Sequence, residues 1–270
     1  MSPNERERAY ARKRYNDWQE RQTKNAQKRR KQRNALLAGL AGVAVVALVV
    51  GIAIVVGRND DTTTTASPSS SASPSAAACP APTKTAPGKP QQWSKAPDPA
   101  TAAGKTFTVT FETNCGAIVA QLDGAKAPKA VASTVFLARS GFYDGVTCHR
   151  LTTQGIFVLQ CGDPLGTGIG GPGYTFGPVE NAPKDNVYKA GTIAMARQGN
   201  NGNSNSSQFF LVYKDSPIPS DNAGGYTVMG TISEGLDVVQ RIADGGVAGG
   251  GGDGAPSTTV GFNAVTVKAD

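Results

Sequence analysis

Between Ala35 and Gly57 the chain runs ALLAGLAGVAVVALVVGIAIVVG, twenty-three residues with no charge and no proline. As a helix rising about 1.5 Å per residue it would measure roughly 34 Å, enough to cross a hydrocarbon layer of about 30 Å with some tilt. A buried core helix of this length would need a large domain around it, yet its neighbours are a basic arm and a low-complexity stretch. A secretory signal has an apolar region of only about 7–15 residues after a short leader, whereas thirty-four residues come first here. The run therefore predicts an uncleaved, single transmembrane helix over 35–57.

Charge sets its direction. The 270 residues carry a net charge of +7, but twelve of the 27 Lys/Arg and only four of the 20 Asp/Glu lie in residues 1–34. The rest of the chain is close to neutral, so no basic nucleic-acid surface is expected on it. A basic segment immediately before the span, against Arg58 with Asp60 and Asp61 after it, places the N-terminus in the cytoplasm and residues 58–270 outside the cell membrane. The arm over 1–34 is a topogenic tail or a segment lying on anionic lipid.

Residues 58–104 hold eight of the seventeen prolines and one aromatic, Trp93. Such a composition buries too little apolar surface to offset its ordering entropy, which predicts a disordered, extended linker. Residues 105–270 then form one domain. TFTVTFET and GAIVAQL alternate apolar and polar residues around Asn114-Cys115-Gly116, a hairpin pattern. GVTCHRL, IFVLQCG, GTIAMA, SQFFLVY, YTVMGTI and FNAVTVKA predict further strands, and APKAVASTVFLARSG and EGLDVVQRIADGG have helical periodicity. Eight strands with two helices predict a mainly β fold, a closed antiparallel eight-stranded β-barrel capped by the helices, because closure removes exposed edges.

Short motifs for other chemistries are weak. A Cys148-His149 dyad fails if the segment is a strand, since neighbouring side chains point to opposite faces. Gly166, Gly168 and Gly171 satisfy G-x-G-x-x-G but lead into Pro172 and no helix, so a loop is expected. With His149 the sole histidine, no multi-histidine metal site is possible, and no metal or cofactor is expected. Four cysteines in an exported segment predict two disulfides. Cys148 and Cys161 would lie opposite each other across a hairpin through Thr152–Ile156, leaving Cys79 for Cys115; three pairings are formally open.

A larger set of residues is more specific: His149-Arg150, Phe157-Val158-Leu159-Gln160 with Gly162-Asp163, Met195-Ala196, Ser207-Gln208-Phe209-Phe210 and Tyr226-Thr227-Val228-Met229-Gly230. In order and spacing this set resembles cyclophilin-type peptidyl-prolyl cis-trans isomerases over essentially all of 105–268, and the arm, anchor and linker resemble membrane-anchored actinobacterial members. The resemblance implies Arg150 as the catalytic arginine with Gln160 and Gln208 as its polar partners. It implies a proline pocket walled by Phe157, Val158 and Phe210, substrate-backbone contacts at Ala196 and Arg197, and further contacts at Pro219 and Tyr226. Implied too are proline-containing polypeptides of the cell envelope as partners, a monomer, and weaker cyclosporin binding than is usual, because Tyr226 stands where His is frequent and no Trp follows Lys105. Two readings from other classes compete: a noncatalytic proline-binding scaffold tethered at the membrane, and an adhesive stalk without a proline pocket.

Overall fold

Alternation of apolar and polar residues builds the sheet from β1 (Thr106–Thr113) and β2 (Gly116–Asp123). Phe107, Val109 and Phe111 of one strand and Ile118, Ala120 and Leu122 of the other enter the core, while Thr108, Thr110 and Gln121 face outward. The pair turns tightly, with Thr113 opposite Gly116. The computed structural model describes residues 79–86 and 90–270; the basic arm, the apolar run over 35–57 and the first part of the linker lie outside the described residues. Among the described residues no helix is long and apolar enough to cross a membrane.

The remaining strands are β3 (Arg150–Thr152), β4 (Val158–Cys161), β5 (Val187–Tyr188), β6 (Thr192–Met195), β7 (Phe209–Val212), β8 (Ser216–Pro217), β9 (Val228–Glu234), β10 (Asp253–Gly254) and β11 (Phe262–Ala269). Nine of the eleven strands form one curled antiparallel sheet in the order β10-β3-β4-β7-β6-β9-β2-β1-β11, and β5 pairs with β8 separately. The mainly β fold with two helices is as expected; the sheet has nine strands rather than eight and is a curled sheet whose order ends on β10 and β11. Backbone contacts still join the chain ahead of β3 to the start of β11: Thr147 bridges Gly261, Cys148 N–H donates to Val260 O at 2.9 Å, and Phe262 N–H to Val146 O at 3.0 Å. Curvature needs close approach at Gly230, where a Cβ would stand 2.1 Å from the Gln121 carbonyl oxygen.

Two helices cover the core, as the periodicity predicts. Helix α1 (Pro128–Arg139) opens on proline, whose missing N–H costs nothing in a first turn, and Glu180 accepts from the Lys129 and Ala130 N–H groups at 3.1 and 3.0 Å. Helix α2 (Leu236–Asp244) is amphipathic and buries Val238, Val239, Ile242 and Ala243.

The cysteines join as Cys79–Cys115 and Cys148–Cys161, the pairs expected from the hairpin. The first draws the described part of the proline-rich segment onto the domain. Asn114 Nδ2 donates to Pro80 O at 2.7 Å, Thr83 Oγ1 to Asn263 Oδ1 at 2.7 Å, and Trp93 N–H to Pro172 O at 2.8 Å. Trp93 packs edge-on to Phe136 with ring centroids 5.1 Å apart. Residues 79–86 and 90–104 are thus a strap along the domain surface, where composition alone predicts a detached stalk. One aromatic ring and one disulfide supply the burial and the constraint that the average composition hides.

Candidate active site

The central strands are apolar on both faces, which is why β6 and β7 are buried at every position. Leu159, Cys161, Ile193, Met195, Phe209 and Leu211 belong to the main core. Their alternates Val158, Ala194, Phe210 and Val212 form, with Tyr188, a second apolar cluster bordered by Ile156, Ala196, Ile218, Tyr226 and Val228. Phe210 is its centre, 5.6 Å from the Tyr226 ring and 6.1 Å from that of Tyr188.

Strand register lays a polar row beside this cluster. Arg150 pairs with Gln160, Gln160 with Phe210, and Phe210 with Ala194, and directly paired residues share a face. Arg150 Nη1 donates to Gln160 Oε1 at 3.3 Å, Gln160 Nε2 to Gln208 Oε1 at 3.0 Å, and Gln208 Nε2 to the Gly170 carbonyl at 3.0 Å. On its other edge Arg150 is held by Asp253, with Nε to Oδ1 at 2.8 Å and Nη2 to Oδ2 at 2.7 Å. Hydrogen bonding to Asp253 raises the guanidinium pKa further above its ordinary value, against the effect of burial, so Arg150 is always a cation. Three of its five N–H donors are engaged in these bonds and two remain.

The far end of the row rests on Asp163, which is fully buried. Burial opposes its ionisation, but the N–H groups of Leu165, Gly170, Gly168 and Thr167 outweigh that and hold its carboxyl below the usual range. The loop after it is thereby wrapped around one carboxylate. Gly166 and Gly168 take φ of 65° and 85°, and a Cβ on Gly170 would stand 2.0 Å from Asp163 Oδ1. The glycine pattern is therefore a loop, as expected, and its consequence is a fixed Gly170 carbonyl for Gln208.

Of the residues named from the sequence, Arg150, Gln160, Gln208, Val158, Phe210, Ala196 and Tyr226 meet at this cluster. Phe157 does not: its ring lies against Tyr213, 6.0 Å away, with Lys214 Nζ 4.6 Å from its centroid, on the side of the main core. Pro219 is exposed, and Ile218 borders the cluster in its place. Arg197 has no exposed side-chain surface; it forks onto Asp221 at 2.8 and 2.9 Å and donates to Gly225 O at 2.9 Å, with its guanidinium 4.7 Å from the Tyr226 ring. Its side chain thus locks the loop that carries Tyr226. Asp253 escaped the sequence reading, its only signal being one carboxylate after four glycines. Cys148 is in a disulfide, which removes the thiol dyad. Among the described residues no group of three or more His, Cys, Asp or Glu could hold a metal ion.

Residues 108–267 match the family model described as cyclophilin type peptidyl-prolyl cis-trans isomerase/CLD. The chain is 49% identical over 170 residues to the probable peptidyl-prolyl cis-trans isomerase B of Mycobacterium tuberculosis, covering 58% of this chain and 53% of that protein. With the protein so described from Mycobacterium leprae the identity is 44% over 187 residues, covering 64% and 60%. The chain thus spans little more than half the length of these curated relatives. A crystal structure of a Cryptosporidium parvum cyclophilin type peptidyl-prolyl cis-trans isomerase in the presence of dipeptide ala-pro is similar at TM-score 0.51 and 26% identity, over 60% of this chain and 99% of that one.

Both ring nitrogens of His149, beside Arg150, are buried without a hydrogen-bond partner. Burial lowers its pKa, aided by the Arg150 charge and opposed by Asp163. The unfolded chain therefore takes up this proton near the ordinary value of about 6.5 while the folded one does not. Stability should fall as pH drops below that value, by at most about 1.4 kcal/mol per pH unit, until the folded histidine is protonated too. Urea midpoints between pH 7 and 5 should show this slope, and His149→Leu should abolish it; an unchanged slope in that variant would contradict the assignment.

Proposed function

The chain belongs to the cyclophilin-type peptidyl-prolyl cis-trans isomerase family, and from that premise we propose that it isomerises X-Pro bonds of exported or cell-envelope proteins while anchored in the cell membrane. The observation that carries the reading is a permanently charged guanidinium, held on two sides, in the cross-strand row that runs through Gln160 to Phe210 and its apolar cluster.

The reaction asks for little else. A prolyl amide resists rotation by about 18–20 kcal/mol because nitrogen shares its lone pair with the carbonyl. In the twisted transition state that pair is released, nitrogen becomes a better acceptor, and no bond to it is made or broken. A preorganised donor aimed at nitrogen therefore stabilises the transition state more than the ground state. Arg150 has two N–H groups for this, and its planar fork suits a fixed direction better than an ammonium does. Phe210, Val158 and Tyr226 would hold the proline ring. Gln160 and Gln208 would orient Arg150 and, with the Ala196 backbone, meet the substrate backbone. No nucleophile, metal or redox group has a task in such a step.

In the same reading, residues 1–34 form a cytoplasmic arm, 35–57 the anchor, 58–104 the linker, whose described part is strapped to the domain, and 105–270 the isomerase domain outside the membrane. The two disulfides agree with an oxidising compartment. Alkaline phosphatase fused after Gly104 should be active in the producing cell; an intact but inactive fusion would refute the orientation.

Arg150→Ala should leave the circular dichroism unchanged and lower kcat/KM on an X-Pro peptide on the order of 10²-fold, as for loss of one preorganised donor. Arg150→Lys should recover part of it, and Phe210→Ala should raise KM as well as lower kcat. Between about pH 6 and 8 the wild-type rate should be nearly flat, since Arg150 does not titrate there. Wild-type turnover by a folded Arg150→Ala protein would remove Arg150 from the reaction.

A further inference from the structure

The run Gly249–Gly252 ends in Asp253. Gly249, Gly250 and Gly251 take φ of 76°, 77° and 106°, and a Cβ on Gly252 would stand 2.8 Å from the Gln154 side chain. Only glycines make this turn without strain. It returns the chain as β10 on the edge of the sheet, with Asp253 opposite Thr152 and Gly254 opposite Leu151. The carboxylate lands on the Nε and Nη2 edge of Arg150, at 2.8 and 2.7 Å.

Resting on the isomerase reading above, we propose that Asp253 is a positioning residue for the reaction: it fixes the plane of the Arg150 guanidinium toward the cluster around Phe210. Arg150 lies on a three-residue strand with 38% of its side chain exposed, and its other side-chain contact is a single 3.3 Å bond to Gln160. One such bond leaves a long side chain free to turn about it. A bidentate carboxylate does not, because two parallel bonds define both direction and plane. Asp253 takes one edge, and the Nη1 end reaches Gln160, whose strand partner is Phe210. The donors left over are one N–H each on Nη1 and Nη2, and their direction is set by the plane that Asp253 fixes. An ion pair this exposed adds little to folding stability, so its worth lies in orientation, and its removal should leave the fold intact.

The test uses the full-length protein and variants Asp253→Ala, Asp253→Asn, Arg150→Ala and the double variant Arg150→Ala/Asp253→Ala, with circular dichroism on each. Turnover of an X-Pro peptide is measured by exchange NMR or coupled proteolysis. Asp253→Ala should lose about tenfold in kcat with KM nearly unchanged, the signature of a misplaced group rather than a lost binding contact. Asp253→Asn, which keeps one acceptor oxygen, should lie between it and wild type. In the Arg150→Ala background the Asp253 change should cost nothing more, because its effect passes through Arg150. The Arg150 Nε–H resonance, slow to exchange in the wild type, should exchange rapidly in Asp253→Ala. Unchanged kcat in Asp253→Ala alongside an impaired Arg150→Ala would overturn the proposal alone, as would additive losses in the double variant. An inactive wild-type protein would instead overturn the isomerase reading, and this proposal with it.

Discussion

The antiparallel register that sets Arg150 against Gln160, Gln160 against Phe210 and Phe210 against Ala194 is the constraint on which the site depends. Side chains alternate with period two, so a slip of one residue in β4 would carry Gln160 into the main core and bring Leu159 and Cys161 out. The apolar residues on both faces of β6 and β7 oppose slippage less than one polar face would, since either face can be buried. The Cys148–Cys161 disulfide adds a covalent tie next to Arg150 and Gln160. Register, second apolar cluster and guanidinium are in this sense one structural fact.

Around that row the fold places rigid supports on irregular segments. Asp163 gathers the N–H groups of its following loop and so presents the Gly170 carbonyl to Gln208. The strap continues the chain of contacts, because Gln92 Nε2 donates to Gly171 O at 2.8 Å and Trp93 N–H to Pro172 O. Arg197, its side chain covered and forked onto Asp221, holds the loop that delivers Tyr226. Each support is a charge or a backbone group that would be costly to leave unpaired, which is why each specifies one arrangement.

How much of this could be seen beforehand follows from how local each signal is. Strands β1 and β2 alternate cleanly because one face meets solvent, and α2 shows its period for the same reason. The family resemblance implies pocket positions for both Phe157 and Val158, yet adjacent residues of an extended chain diverge; Val158 joins the second cluster and Phe157 turns to Tyr213. Pro219 was one residue from Ile218, which borders the cluster. The ninth strand of the sheet is two residues long and its glycine approach has no alternation, so neither β10 nor the contact of Asp253 with Arg150 could be read from pattern. The strap was hidden because composition averages over the one tryptophan and one cysteine that hold it.

The account stands most directly on where a proline is held. A crystal structure of the protein with an X-Pro peptide should place the proline ring against Phe210 between Val158 and Tyr226, with an Arg150 Nη atom within about 3 Å of the prolyl nitrogen or its carbonyl oxygen, a hydrogen-bond distance. A peptide bound elsewhere on the domain, or bound there with Arg150 still out of hydrogen-bond reach of the prolyl amide, would contradict it.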